Sequence, residues 1–382
     1  MSRLQELIQT LCLDGVKYRK LGDKRVCVMQ RGTAITKKDI VKGNVPVIAG
    51  GQKPAYYCNR ANRTGETITV AGSGAYAGFV SYWDTPIFVS DAFSIKGTEL
   101  CTTKYLYYLL VNMQDKIFAT KNGAGIPHVH IKNIENFEVP VPHPNVQEEI
   151  VRILDAFTSY AAELQAELQA RKEQYAYYRD QLLTFDEHAE GVEWKKLGDI
   201  GNICMCKRIM KNQTNNTGGI PFYKIGTFGK KADAYISPEL YNEYKNKFSY
   251  PRKGEVLISA SGTIGRTVIY DGEDAYFQDS NIIWIQNDES AVLNKYLYYY
   301  YQIIEWNVEG GTIQRLYNTN LAKTTIAVPS LSEQQRIVSI LDKFETLVND
   351  LTEGLPAEIA AVQEQYEYYR NKLLSFSKIT EA

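Results

Sequence analysis

The chain has 382 residues, 44% apolar and 23% charged, with a formal net charge of −1. That is the make-up of an ordinary globular protein, long enough for two or three domains with real cores. It excludes a membrane span, since no apolar run approaches the ~20 residues required, and Met1-Ser2-Arg3-Leu4-Gln5-Glu6-Leu7 carries no signal-peptide core, so a cytoplasmic protein is expected.

The six cysteines, at 12, 27, 58, 101, 204 and 206, are irregularly spaced, and Cys204-x-Cys206 has no partner pair for zinc; they read as reduced thiols. The net charge hides a partition. Residues 15–145 hold 17 Lys and Arg against 9 Asp and Glu, and residues 191–331 hold 16 against 14. Residues 146–190 and 332–382 hold 4 against 10 and 5 against 9. Positive segments that meet phosphate, alternating with negative segments that meet something else, would produce this pattern.

Residues 1–14 read as a short amphipathic helix with Leu4, Leu7, Ile8 and Leu11 on one face. Asp14-Gly15-Val16 and Leu21-Gly22-Asp23 follow, and recur as Glu190-Gly191-Val192 and Leu197-Gly198-Asp199. The N-terminal helix therefore stands where the tail of a preceding long helix would stand. Within residues 15–145, Glu66-Thr67-Ile68-Thr69-Val70 reads as a strand. Gly72-x-Gly74-x-x-x-Gly78 then leads into another, Phe79-Val80-Ser81-Tyr82-Trp83, which makes it a tight turn and not a phosphate loop opening a helix. Lys104-Tyr105-Leu106-Tyr107-Tyr108 starts a helix. A glycine-led loop, residues 122–132, precedes a strand ended by proline, Val139-Pro140-Val141-Pro142.

Gln147 to Phe185 reads as one long helix. Positions 150, 154, 157, 161, 164, 168, 171, 175, 178 and 182 alternate steps of four and three, and all but Arg171 are apolar or aromatic, the repeat of a left-handed coiled coil. Its seam includes Ile150, Leu154, Phe157, Leu164, Leu168, Tyr175 and Tyr178. Residues 191–331 repeat the first globe loosely: Glu255-Val256-Leu257-Ile258-Ser259 for its strand, Ser261 for Ser73, Asp279 for Asp91, Lys295-Tyr296-Leu297-Tyr298-Tyr299 for its helix, and residues 310–318 for its glycine-led loop. Gln334 to Phe376 is the second copy of the long helix, with Ile337, Leu341, Phe344, Leu351, Tyr366 and Tyr369 on its seam. Two successive steps of four, 351 to 355 to 359, form a stutter at Gly354 and Pro356, so a kink or short break is expected there.

No catalytic constellation emerges. His128-x-His130 faces Arg315 and Tyr317 in the second copy, which argues against a metal pair, and no cofactor motif is found. Residues suited to base edges or phosphates are more plentiful: Lys53, Arg60, Arg63, Ser73, Asn122, His128, His130 and Lys132 in the first globe, and Lys224, Ser261, Arg266, Gln314, Arg315 and Asn318 in the second.

Two differing globes, each followed by a helix reading Ile-Val-x-Ile-Leu-Asp-x-Phe and, later, Gln-Tyr-x-Tyr-Tyr-Arg, resemble the specificity subunit of type I restriction-modification systems over essentially the whole chain. The resemblance implies a non-catalytic subunit without cofactor. Its mixed α/β fold would hold two strand-rich target recognition domains in pseudo-twofold tandem, separated by two long antiparallel coiled-coil helices. The domains expected are residues 1–146 and 191–331, with helices at 147–190 and 332–382. Each globe would read half of a bipartite duplex target. The helices would space the halves and dock two methyltransferase subunits, and a motor-nuclease subunit would join for cleavage. A stand-alone bipartite DNA binder and, more remotely, an enzyme using the Gly72–Gly78 turn are the competing readings.

Ala162-Glu163-Leu164-Gln165 is followed at once by Ala166-Glu167-Leu168-Gln169. One such unit is ~6 Å of helix, against ~3.4 Å of rise per base pair. Deleting one unit is therefore expected to shorten the target's gap by about one or two base pairs, read by methylome sequencing; an unchanged gap would refute the ruler role.

Overall fold

The structure, a computed structural model, describes residues 2–35, 40–123, 125–311 and 314–379. The chain divides into two compact units, Met1–Gln165 with Glu358–Ala382, and Ala166–Ala357.

In the first unit, α1 (Arg3–Leu11) is followed by β1 (Lys17–Lys20), β2 (Cys27–Arg31), β3 (Val45–Ile48), β4 (Tyr56–Cys58), β5 (Thr67–Ala71), β6 (Val80–Trp83), β7 (Phe88–Val89) and β8 (Ala92–Gly97). Then come α2 (Thr103–Asn112), α3 (Gln114–Phe118), α4 (Ile131–Ile134), β9 (Glu138–Val141) and α5 (Pro144–Leu183). The strands form an antiparallel sheet in the order β2-β8-β5-β6, a smaller sheet β4-β3-β7 whose β3–β7 pair is parallel, and a ribbon β1-β9. Buried at every residue, β5 is a central strand covered on both faces. Pro140 pairs with Tyr18 in the two-stranded ribbon, where a missing N–H is tolerated.

The second unit holds β10 (Val192–Lys196), α6 (Leu197–Ile200), β11 (Asn202–Met205), β12 (Ile220–Tyr223), β13 (Tyr235–Ile236), α7 (Pro238–Lys247), β14 (Val256–Ser259), β15 (Thr267–Ile269), β16 (Tyr276–Phe277) and β17 (Ile282–Gln286). After these come α8 (Asn294–Tyr300), α9 (Asn318–Lys323), β18 (Thr325–Pro329) and α10 (Leu331–Asn349). Its sheets, β11-β17-β14-β15, β13-β12-β16 and β10-β18, repeat the first unit's strand orders, including the one parallel pair. The mixed α/β architecture with two strand-rich halves is therefore as expected. Little sequence survives between the halves, but the pairing does.

The helix α11 (Leu355–Leu373) belongs to the first unit. Each unit encloses one half of α5 against a helix from the other repeat. In the first, Phe157 stacks on Tyr369 at 5.6 Å and meets Tyr366 at 6.5 Å. In the second, Phe344 stacks on Tyr178 at 5.6 Å and meets Tyr175 at 6.4 Å. These are the same two contacts with the repeats exchanged. Ile150, Leu154, Leu164, Ile337 and Leu341 are buried along the same seams, with Leu168 packed against the second unit's core.

The break expected at Gly354 and Pro356 is present: the second long helix stops at Asn349 and restarts at Leu355. Two other expectations need correction. Leu351, read as a seam residue, lies in that break at 80% exposure. The carboxylate of Asp350 accepts hydrogen bonds from the Thr352 and Glu353 N–H groups, turning the chain out of the helix. Gly354 then passes so close to the end of α10 that a Cβ would lie 2.4 Å from the Thr346 carbonyl. A four-residue stutter is absorbed here by breaking the helix instead of unwinding it. The other correction concerns α1. The chain just after α11, through Leu374 and Phe376, occupies in the first unit the place that Leu183, the last residue of α5, and Phe185 just beyond it take in the second. Val16 donates to the Ser377 carbonyl at 2.9 Å and accepts from Ile379 at 3.1 Å, closing the chain on itself, while α1 adds Leu4 and Ile8 to that core.

Two glutamines lock the helix starts. Gln147, fully buried, accepts from Thr102 N–H at 3.0 Å and donates to the Leu100 and Pro142 carbonyls at 2.9 and 2.8 Å. Gln334, equally buried, does the same with Leu293, Ala291 and Pro329. Each of these bonds satisfies a loop group that would otherwise be stranded. Gln147→Ala or Gln334→Ala is expected to lower unfolding stability by about 2–4 kcal/mol, measured by denaturant titration. A loss below about 0.5 kcal/mol would show that water replaces the amide.

Candidate nucleic-acid interface

The turn between β5 and β6 and the glycine-led loop before α4 come together in the first unit. Ser73 forms an antiparallel bridge with His128, and His128 bridges Asn122 in turn, with N–H to carbonyl bonds of 2.7 and 3.1 Å. Gly123, at φ +118°, lets the loop reverse, and a Cβ there would lie 2.5 Å from the Ile126 carbonyl. The Ser73 hydroxyl donates to the Asp91 carboxylate. The His128 and His130 rings lie 5.8 Å apart and nearly parallel, over a shallow cavity of about 170 Å³ also lined by Arg31, Gly32 and Asp91. Three of the sequence candidates, Ser73, His128 and His130, thus meet in one place, and Asn122 joins them through the loop.

The second unit rebuilds this frame. Ser261 bridges Arg315, Arg315 bridges Glu309, and Gly310 reverses the loop at φ +124°. Gln314 is exposed beside Arg315, and Asn318 opens α9. Ala124, Thr312 and Ile313, part of the two predicted loops, lie outside the described residues.

The predicted equivalence of Asp91 and Asp279 does not hold. In the first unit Ser90 N–H meets the Ile48 carbonyl and Gly72 N–H meets the Asp91 carbonyl; in the second Gln278 N–H meets Tyr223 and Ala260 N–H meets Asn281. Asn281 therefore stands where Asp91 stands, and Asp279 and Ser280 are a two-residue insertion. Ser280 takes a left-handed backbone at φ 53°, which costs a non-glycine residue about 1 kcal/mol. Asp279 pairs with Arg208 at 2.7 Å. The hydroxyl of Ser261, like that of Ser73, donates to this position, here the Asn281 amide oxygen at 2.8 Å, and Arg315 Nη2 donates to the same oxygen at 3.0 Å. Asn281 was missed from sequence. Aligning the apolar run Ile282-Ile283-Trp284-Ile285 with Ala92-Phe93-Ser94-Ile95, in place of aspartate with aspartate, would have found it.

The remaining basic candidates differ in availability. Arg63 is spent internally: its guanidinium donates to Ser94 Oγ at 2.7 Å and to the Asn62 and Arg31 carbonyls at 2.7 and 2.8 Å, and burial pushes its pKa down. Arg266 donates to the Phe228 carbonyl at 3.0 Å, and Lys224 pairs with Asp233 at 2.8 Å. Arg60 lies over the Phe88 ring. Lys53 and Lys132 are exposed. Lys53 rides on the loop whose Gly50 packs against the Ser73 carbonyl, close enough to exclude a Cβ.

Among the described residues no group of three or more His, Cys, Asp or Glu could hold a metal ion, and no helix is long and apolar enough to cross a membrane. The six cysteines are free, and burial pushes the Cys27 and Cys206 thiols up to about 12.

The type I restriction-modification DNA specificity domain matches this chain twice, over residues 14–173 and 189–361. A putative type I restriction enzyme specificity subunit of Haemophilus influenzae is 51% identical over 351 residues, covering 88% of this chain and 89% of that protein. The Escherichia coli EcoR124I/EcoR124II specificity subunit is 36% identical over 297 residues, covering 72% and 71%. In fold, the chain superposes on the crystal structure of the type I S subunit of M. genitalium at a TM-score of 0.61 and 17% identity, covering 94% and 96%. The chain belongs to the family of type I restriction-modification specificity subunits, which recognise DNA sequence and perform no catalysis themselves.

Because Arg63 serves the fold and Lys53 does not, Arg63→Ala is expected to destabilise the first unit by about 2–3 kcal/mol. Lys53→Ala is expected to stay within about 0.5 kcal/mol of the parent. Paired denaturant melts test the ordering; equal losses would contradict it.

Proposed function

We propose that each strand-rich unit reads one half of a bipartite duplex target. On this reading the long helices set the gap and dock two methyltransferase subunits, and a motor-nuclease subunit joins for cleavage. The observation that carries it is the reuse of one frame with different chemistry: Ser73, Asp91 and His128 in one unit, Ser261, Asn281 and Arg315 in the other. A frame that keeps its backbone bridges while its side chains change suits two readers of two different half-sites. Docking of two like partners is supported by exposed tyrosines at matching places of the helices, Tyr177 and Tyr368, at 62% and 59%. The domains on this reading are residues 1–146 and 191–331, with spacer helices at 147–190 and 332–382.

Single-molecule methylome sequencing of cells expressing the chain with its cognate methyltransferase is expected to reveal two short specific halves around a fixed gap. One contiguous motif would mean that only one unit reads DNA. Absence of methylation would favour a stand-alone binder.

A further inference from the structure

The two units present different hydrogen-bonding groups at the same point of the same frame. In the first, the serine is anchored by a carboxylate, Asp91, and the bridging residue is His128. In the second, the anchor is a neutral amide, Asn281, and the bridging residue is Arg315. Among the described residues the guanidinium of Arg315 is held at one end, through Nη2 to Asn281 Oδ1 at 3.0 Å. Among the described residues no carboxylate lies within 4.0 Å of it, whereas Arg208 is neutralised by Asp279 and Arg63 is consumed by three internal acceptors. Arg315 is thus a charged fork whose direction is set and whose charge is uncompensated. Gly311 in the same loop leaves room for close approach, with nothing within 4 Å of a Cβ built on it.

Which base such a group reads follows from the groove chemistry. Guanine offers two acceptors, O6 and N7, spaced for the paired N–H groups of a guanidinium, and no other base edge in the major groove offers that pair. A lysine could supply charge there but not the fork.

We propose that Arg315 reads a guanine in the half-site met by the second unit, and that Asn281 is its positioning residue. The assignment rests on the reading of that unit as a duplex reader. The Asp279-Ser280 insertion is part of the device: it brings Asn281, not a carboxylate, to the anchor position, so the fork is oriented without being neutralised. The first unit lacks that insertion and keeps Asp91, a pure acceptor, at the anchor.

The test uses the full chain in complex with its methyltransferase subunits. The probe is a duplex carrying the split motif found by methylome sequencing, with a panel in which each base pair of both halves is replaced singly. The parent complex is expected to lose about 10- to 100-fold in affinity when one particular G·C pair of one half is replaced. Arg315→Gln should bind the unaltered duplex as weakly as the parent binds that replaced one, should be indifferent to that replacement, and should keep the parent's discrimination everywhere else. Asn281→Ala should weaken discrimination at the same pair only. Arg315→Lys, which keeps the charge, should retain affinity better than Arg315→Gln yet still lose the guanine preference; it also carries the test if Arg315→Gln yields no folded complex. Retained guanine discrimination in the variants, or an even loss across the whole panel as a phosphate contact would give, overturns the assignment. So does a split motif with no G·C pair in either half, although two-unit reading then survives. A parent complex showing no split motif refutes the two-reader reading and takes this assignment with it.

Discussion

A 40-residue helix with an apolar stripe does not persist alone in water; its stripe must be covered along its length. In this chain α5 is covered in two installments, its first half by α11 and its second by α10, each installment lying within a different unit. Each globe is then fixed to its seam by the same devices. A fully buried glutamine sits at each helix start. A tyrosine from the globe's own helix donates to an aspartate on the long one, Tyr108 to Asp155 and Tyr299 to Asp342, and a lysine one turn earlier pairs with the same carboxylate. The globes need no close sequence likeness because these attachments, and not their surfaces, are what the repeat preserves.

Much of this was legible beforehand, for identifiable reasons. The seam announces itself through a 3.5-residue period, the tandem through repeated Leu-Gly-Asp and Gln-Tyr segments, and the turn after β5 through glycines flanked by β-branched residues. The interruption at 350–354 was visible as a stutter carrying glycine and proline; that it becomes a full break depends on the Asp350 side chain and on how tightly Gly354 packs, neither of which a period encodes. That the chain after α11, and not α1 alone, fills the place of a preceding helix tail was not legible, because a position one repeat upstream and a position at the far end of the chain look alike in sequence.

The site was legible in composition and not in register. The serine of each turn and the polar residue of each loop come together in each unit, since backbone pairing follows from the placement of β5 or its counterpart and the glycine-led loop. Asn281 escaped because a conspicuous aspartate two residues earlier offered a tidier match. Sheet register follows the apolar run, and a two-residue insertion keeps the same faces of β17 inward while renewing what stands at its mouth. Basic residues were the least informative class. Arg63 looks like a phosphate ligand in sequence and acts as an internal strut in the fold.

The contact between Val16 and residues 377–379 also orders events on the ribosome. The unit that contains the first residues also needs residues 358–382, whereas the other is built from one uninterrupted stretch. During synthesis the later half can finish while the earlier half still lacks the strip that covers Phe157 and the backbone partner of Val16. The unit whose first segment precedes the other in sequence is thus completed after it. Until residues of α11 follow, the aromatic face of α5 around Phe157 has no partner within its own unit, a state in which exposed apolar surface invites association with other chains.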